Sequence, residues 1–339
     1  MAVQINHMLK LFLCIIISGS FVGAYAAENS GDLRSRLEKA KSRSQRIILC
    51  EKLAQCYRDE QQDAKFIETA KMFVDLQPGK KKTYKALVDI GETLLKNGEL
   101  SASIEAFSRA VALLPGRDSA RLKLAAAYEK SDLYELSRRL YLDIIEDNPR
   151  SYEANFNLGR LLYREGFYTQ AMEHYRRCLI LRPAREIYFS MAECAKSKGD
   201  TKLAIDMMLQ AVSLGEGFDG ILKLGSYYAL AGKHKQAEET LSRAISLEPG
   251  RIEPYMRLGL LYLENGRLDE AGKMFSIASE KDRNAVAPRF FLSYVYYRQN
   301  KLQAARREIN KAGLDIDGEN LSRCITVIKN KLYPPVLEK

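Results

Sequence analysis

Past its first 26 residues the sequence holds two histidines, His174 and His234, and five cysteines, Cys50, Cys56, Cys178, Cys194 and Cys324. General acid–base or nucleophilic catalysis needs a base within reach of its nucleophile, and a zinc site needs cysteines and histidines at close, fixed spacing. Neither pattern occurs. The histidines are widely separated, no two cysteines form a CxxC pair, and there is no GxSxG elbow, HExxH helix or glycine-rich phosphate loop. Asp269-Glu270 reads as a helix start, where acids favour the helix dipole. The cysteines read as small buried hydrophobes; in an oxidising compartment one pair can form and at least one thiol stays free. No catalytic residue, metal ligand or cofactor is assigned, and the chain is expected not to be an enzyme.

The elements that would position a site must therefore be sought in the pattern of the whole chain. At 339 residues it is long for one core but ordinary for an elongated array. With 46% hydrophobic and 28% charged residues it is neither disordered nor a multi-span membrane protein. Residues 1–26 read as a signal peptide, an apolar run LFLCIIISGSFVG followed by the small-x-small Ala24-Tyr25-Ala26. The expectation is export to a periplasmic or extracellular space, or membrane anchoring if the leader stays uncleaved, although the run is short against the ~20 residues of a span. Leu13 before Cys14 argues against a lipidation box.

A small residue recurs at Gly91, Ala125, Gly159, Ala192, Gly225, Gly259 and Ser293, with gaps of 34, 34, 33, 33, 34 and 34. Twelve residues after each stands Ser103, Ser137, Ala171, Ala204, Ala237, Ala271 or Ala305. Four further on stands a large apolar residue, Phe107, Tyr141, Tyr175, Met208, Leu241, Phe275 or Ile309. Prolines at 115, 149, 183 and 249 close most units. Spacings of i, i+4 and i+7 inside each unit are helical, glycines such as Gly166 end a first helix, and one hairpin cannot bury both faces alone.

This pattern resembles the tetratricopeptide repeat. The resemblance implies an all-α fold, a right-handed superhelical solenoid of stacked antiparallel helix pairs. Its segments are a basic N-terminal stretch over 27–45, a degenerate first repeat over 46–79, seven units over 84–315, and a capping helix and tail over 316–339. The first repeat keeps Leu53, Ala54, Tyr57 and Pro78 but has Phe66 where a small residue is expected. The resemblance further implies a scaffold that binds proteins or peptides in a concave groove lined by the first helices.

On those helices Phe156, Arg160, Tyr163, Leu260, Leu263, Tyr294 and Tyr297 are the expected partner-binding residues, because exposed aromatics on a curved surface make good anchors. Some family members clamp a peptide carboxylate with Lys and Asn on successive first helices. Here Asn157, Arg160, Ser190, Glu193 and Lys223 form an incomplete set, which argues against such a clamp. The net charge of +10 is concentrated in two places. Arg34, Arg36, Lys39, Lys41, Arg43 and Arg46 form one cluster, and Lys80, Lys81 and Lys82 form another. This basic surface suits acidic proteins, anionic polysaccharide or anionic lipid; nucleic acid is not expected. The sequence thus points to an exported scaffold assembling an envelope or secretion complex, with an adaptor for polysaccharide export or an anionic surface as the alternative.

Overall fold

Seven positions after each small first-helix residue, the backbone turns left-handed. Gly98, Gly166, Gly199, Gly232 and Gly266 have φ between 68° and 85°, and Gln61, Asp132 and Asn300 take the same place with φ of 56–60°. A residue there lets the chain reverse and returns amide groups to the helix's last carbonyls. The Gly166 N–H donates to Tyr163 O at 3.1 Å and the Phe167 N–H to Leu162 O at 2.8 Å.

The resulting architecture, in a computed structural model that describes residues 29–313, is all-helical. Its described residues fall into two units divided after Ile144. In the first unit α1 (Ser30–Lys39) precedes the hairpin of α2 (Arg43–Asp59) and α3 (Asp63–Asp75), then that of α4 (Lys80–Lys96) and α5 (Leu100–Leu113). It continues with α6 (Asp118–Lys130) and α7 (Tyr134–Asp147), within which the division falls. The second unit holds the hairpins α8 (Tyr152–Arg164) with α9 (Tyr168–Leu181), α10 (Arg185–Ser197) with α11 (Thr201–Ser213), and α12 (Phe218–Leu230) with α13 (His234–Leu247). Two more follow, α14 (Glu253–Glu264) with α15 (Leu268–Lys281), and α16 (Val286–Arg298) with α17 (Leu302–Lys311). Within each unit every second helix also packs on the first helix of the next hairpin. The expected signal peptide and the capping segment over 316–339, with Cys324, lie outside the described residues.

The period of the sequence is a packing rule. Phe107, Met208, Leu241 and Phe275 are wholly buried. Phe107, Leu241 and Phe275 each cover the glycine sixteen positions earlier, so closely that a Cβ on Gly91 would stand 2.5 Å from Phe107 and one on Gly259 2.7 Å from Phe275. Protein interiors are packed near crystal density, so such contacts leave no slack. The small residue at the twelfth position contributes as well: the Ser103 hydroxyl donates to Gly91 O at 2.8 Å. Asn29, Ser42 and Asp200 cap α1, α2 and α11 by accepting from backbone N–H groups three residues on.

The basic N-terminal stretch is more than a charged tail. Residues 30–39 form α1, whose Leu33 and Leu37 share one face at i, i+4 and are buried in the first unit's core.

Candidate functional site

The first helices of the second unit carry the predicted partner-binding residues. Phe156 is half-buried, stacked on Tyr152 at 6.2 Å and tilted against Tyr175 at 5.9 Å. Arg160 is exposed, and Tyr163 is half-buried beside Tyr168, ring centroids 5.6 Å apart. Leu263, Tyr294 and Tyr297 are half-buried, their inner edges against the unit's core and the rest open. Tyr294 accepts a hydrogen bond from Arg298 at 3.0 Å, and the Arg298 guanidinium lies 5.7 Å from its ring.

Leu260 is the exception. It is 2% exposed and belongs to the core, so the expectation that it offers surface is corrected. It follows Gly259 directly, and α14 touches both α12 and α15. A residue one step from the closely packed glycine is therefore covered by neighbouring helices instead of facing solvent.

Between α10 and α12 the structure adds a polar network that sequence reading missed. The Glu193 carboxylate accepts from Lys196 at 2.5 Å and from Lys223 at 3.3 Å. Burial works against its charge, but the Lys196 hydrogen bond and the Lys196 and Lys223 charges outweigh it and hold the carboxyl below its ordinary range. Lys223 also lies 5.6 Å from the Phe189 ring and Lys196 5.8 Å from the Tyr227 ring. Burial beside this carboxylate pushes the Tyr227 phenol well above its usual value. Lys196 follows Glu193 by three residues, a legible helical pair. The partner thirty residues on becomes visible only when one first helix is laid against the next. The first unit has a comparable ladder: Arg58 pairs with Asp89 at 3.0 Å, and Lys123 with Glu92 at 2.5 Å.

The chemistry-bearing side chains lie apart from one another. Nδ1 of His174 sits 3.0 Å from Asn155 Oδ1, while Asn155 Nδ2 donates to Ser151 O at 2.8 Å and Pro149 O at 3.2 Å. Burial and then Arg177 lower the His174 pKa against the opposing pull of Glu173, favouring the neutral ring. Cys50, Cys178 and Cys194 are buried free thiols, and Cys56 is partly buried. Burial pushes Cys178 up to about 11 and Cys194 up to about 12, far from the thiolate state that reactivity requires. Among the described residues no group of three His, Cys, Asp or Glu is placed to hold a metal ion, and no helix is long and apolar enough to cross a membrane.

Of the nine predicted basic residues, four are engaged within the fold. Arg34 pairs with Glu38 at 3.5 Å, Arg36 with Asp32 at 3.5 Å, and Lys82 with Glu51 at 2.6 Å. Arg43 donates to Leu76 O at 2.9 Å, at the carbonyl end of α3, where a cation meets the negative end of the helix dipole. Lys39, Lys41, Arg46, Lys80 and Lys81 are exposed and form no salt bridge among the described residues.

Family models of the tetratricopeptide repeat match residues 88–144, 122–186, 186–214 and 228–288, together more than half of the chain. The chain belongs to the tetratricopeptide-repeat family. Such repeats are protein-interaction scaffolds, and the hairpins described above are their units. The C-terminal part of a TPR repeat-containing protein from Cytophaga hutchinsonii aligns with a TM-score of 0.59 at 15% identity, over 70% of this chain and 98% of that one. A tetratricopeptide repeat protein from Parabacteroides merdae aligns with a TM-score of 0.54 at 16% identity, over 74% of this chain and 98% of that one. At such identity the likeness is one of fold. The Caenorhabditis elegans protein named tetratricopeptide repeat protein 8 is 26% identical over 180 residues, 52% of this chain and 34% of that protein. The chain thus spans about a third of the length of the curated relatives it matches.

Proposed function

We propose that this protein is a non-catalytic scaffold that binds a protein or peptide partner along the first-helix face of its second unit. Phe156, Arg160, Tyr163, Leu263, Tyr294 and Tyr297 are the contact residues. The observation that carries the reading is the set of half-open aromatic and aliphatic side chains on α8, α14 and α16, three of the second unit's five first helices, in a tetratricopeptide-repeat chain. Rigid rings whose inner edges are already packed lose little side-chain entropy on binding, so they serve well as anchors. The apolar run and Ala24-Tyr25-Ala26 near the N-terminus support an exported scaffold, and assembly of an envelope or secretion complex is the setting we assign to it. The test is partner capture in the native host by wild type and by a Leu263→Asp/Tyr297→Ala variant with unchanged helix content and melting. Partners lost only from the variant support the reading; an unchanged set refutes it.

A second reading, contact with anionic polysaccharide or an anionic lipid surface, is supported by the five exposed cations without salt bridges near α1 and the start of α4. Binding of that kind falls steeply with salt, because exposed charges are screened within ~8 Å at physiological ionic strength.

A further inference from the structure

Three chain reversals meet along one edge of the first unit. The α1–α2 junction reaches the α3–α4 junction through Arg43, which donates to Leu76 O at 2.9 Å and to Gln77 O at 3.3 Å. The α3–α4 junction reaches the α5–α6 junction through Tyr84. Its hydroxyl accepts from the Ala120 N–H at 3.2 Å, and the Arg117 guanidinium lies 5.8 Å from its ring. Residues 39–50 and 76–88, which make the first two junctions and the helix starts behind them, hold eight Lys and Arg and no Asp or Glu. The opposite edge, at the α2–α3 and α4–α5 turns, sets the acids Asp59, Glu60, Asp63 and Glu99 against Arg58 and Lys96. The unit is therefore electrically polarised from edge to edge.

Stability does not account for this charge. Helix N-termini favour anions, yet α4 opens on Lys80-Lys81-Lys82, and α2 carries Arg46 in its first turn. Neither first turn holds an acid, and Gly79 gives α4 no side-chain cap. These cations work against the helix dipole. Lys39, Lys41, Arg46, Lys80, Lys81 and Arg117 are all exposed. Among them stands one aliphatic side chain: Ile48, 54% exposed, lies six residues before Ala54 on α2, where Lys85 lies six before Gly91 on α4.

We infer that this edge is a docking surface for an anionic lipid bilayer. The inference rests on the second reading above and deepens it, because it commits that basic surface to lipid instead of polysaccharide. Charge complementarity supplies the attraction, since lysines and arginines near an anionic leaflet each add to binding. Spread over three junctions on long flexible stems, they suit the diffuse charge of a headgroup layer. Ile48 decides between the two sources: an open aliphatic side chain among cations gains by entering the headgroup–acyl boundary and gains nothing on a hydrated sugar polymer.

The test is co-sedimentation of the purified full chain with vesicles of phosphatidylcholine alone or mixed equally with phosphatidylglycerol. Any insertion of the apolar leader is common to both vesicles and to every variant, so it cancels in the comparison. Wild type should prefer the anionic vesicles and lose that preference as salt rises. Lys80→Gln/Lys81→Gln should lower the partition coefficient roughly 25-fold, at about fivefold per charge, and Lys39→Gln/Lys41→Gln by a similar factor. Both variants should melt at or above wild type, so lost binding is not unfolding. Ile48→Ser should weaken vesicle binding by about three- to tenfold while leaving binding to soluble alginate, a uronic polysaccharide, unchanged. The inference is overturned if wild type binds both vesicles alike, or if either lysine pair is replaced without loss. Binding to alginate but not to anionic vesicles would also overturn it and leave the second reading standing for polysaccharide; binding to neither would overturn both. Leu263→Asp/Tyr297→Ala should bind vesicles as wild type does, and loss there would place the contact on the second unit and sink the inference.

Discussion

Gly259→Ala compared with Gly272→Ala measures how strictly the repeat's period is a packing requirement. An alanine Cβ at 259 would stand 2.7 Å from Cε1 and 2.8 Å from Cζ of Phe275. That ring is fully buried and stacked on Phe291 at 5.2 Å, so it cannot swing clear. Overpacking of this kind costs about 1–3 kcal/mol. At 272, on the next helix, the new methyl meets Val295 at 3.4 Å and Leu292 at 4.0 Å, ordinary contact distances. Both substitutions gain about 1 kcal/mol of helix propensity, which cancels in the comparison. Gly259→Ala should therefore be less stable than Gly272→Ala by about 1–3 kcal/mol, with Gly272→Ala at or above wild type. Urea unfolding followed by far-UV circular dichroism reads the difference, with m-values compared because repeat arrays lose cooperativity easily. Phe275→Met added to Gly259→Ala reproduces the natural Ala192–Met208 pair and should recover part of the loss. Equal stability of the two single variants, or a more stable Gly259→Ala, would refute the packing rule.

Other expectations follow from buried polar contacts. Tyr141 donates to Glu129 at 2.9 Å with both residues buried, so Tyr141→Phe should destabilise the protein by about 1–3 kcal/mol in urea unfolding. Asn155→Ala removes the donor to Ser151 O and Pro149 O and the partner of His174. Hydrogen exchange at the start of α8 should rise in that variant while exchange in α16 stays unchanged. The Glu193 carboxyl is held below its ordinary value of 4.5, so its contribution is complete above that pH and disappears as pH falls through the depressed folded value. The stability gap between wild type and Glu193→Gln should be widest near neutral pH and close under acid; a gap that widens in acid would contradict the assignment.

Much of the fold was legible because each repeat states its packing twice, once in the small first-helix residue and once in the large residue sixteen positions on. The left-handed turn was legible where glycine occupies it, less so at Asp132 and Asn300, whose residue types tolerate φ > 0 without requiring it, and least at Gln61, which tolerates it poorly. The Phe66 departure was visible, and one turn further on Ala70 exchanges the small and large positions; both residues are buried on the same face of α3. Leu260 was misplaced. Helical spacing fixes the side of a helix a residue is on, but not how far the next hairpin's helix covers it. The Glu193–Lys223 contact joins two hairpins, and no single repeat contains both partners.

The claim that partners lie along the first-helix face is tested most directly by site-specific photo-crosslinking in the native host. A photoreactive residue is placed at 160 or 297 on first helices, and at 180 or 247 on second helices, where Ile180 and Leu247 are 84% and 44% exposed. The account predicts one common partner crosslinked from 160 and 297 and absent from 180 and 247. The same partner captured from 180 or 247 and not from 160 or 297 would contradict it.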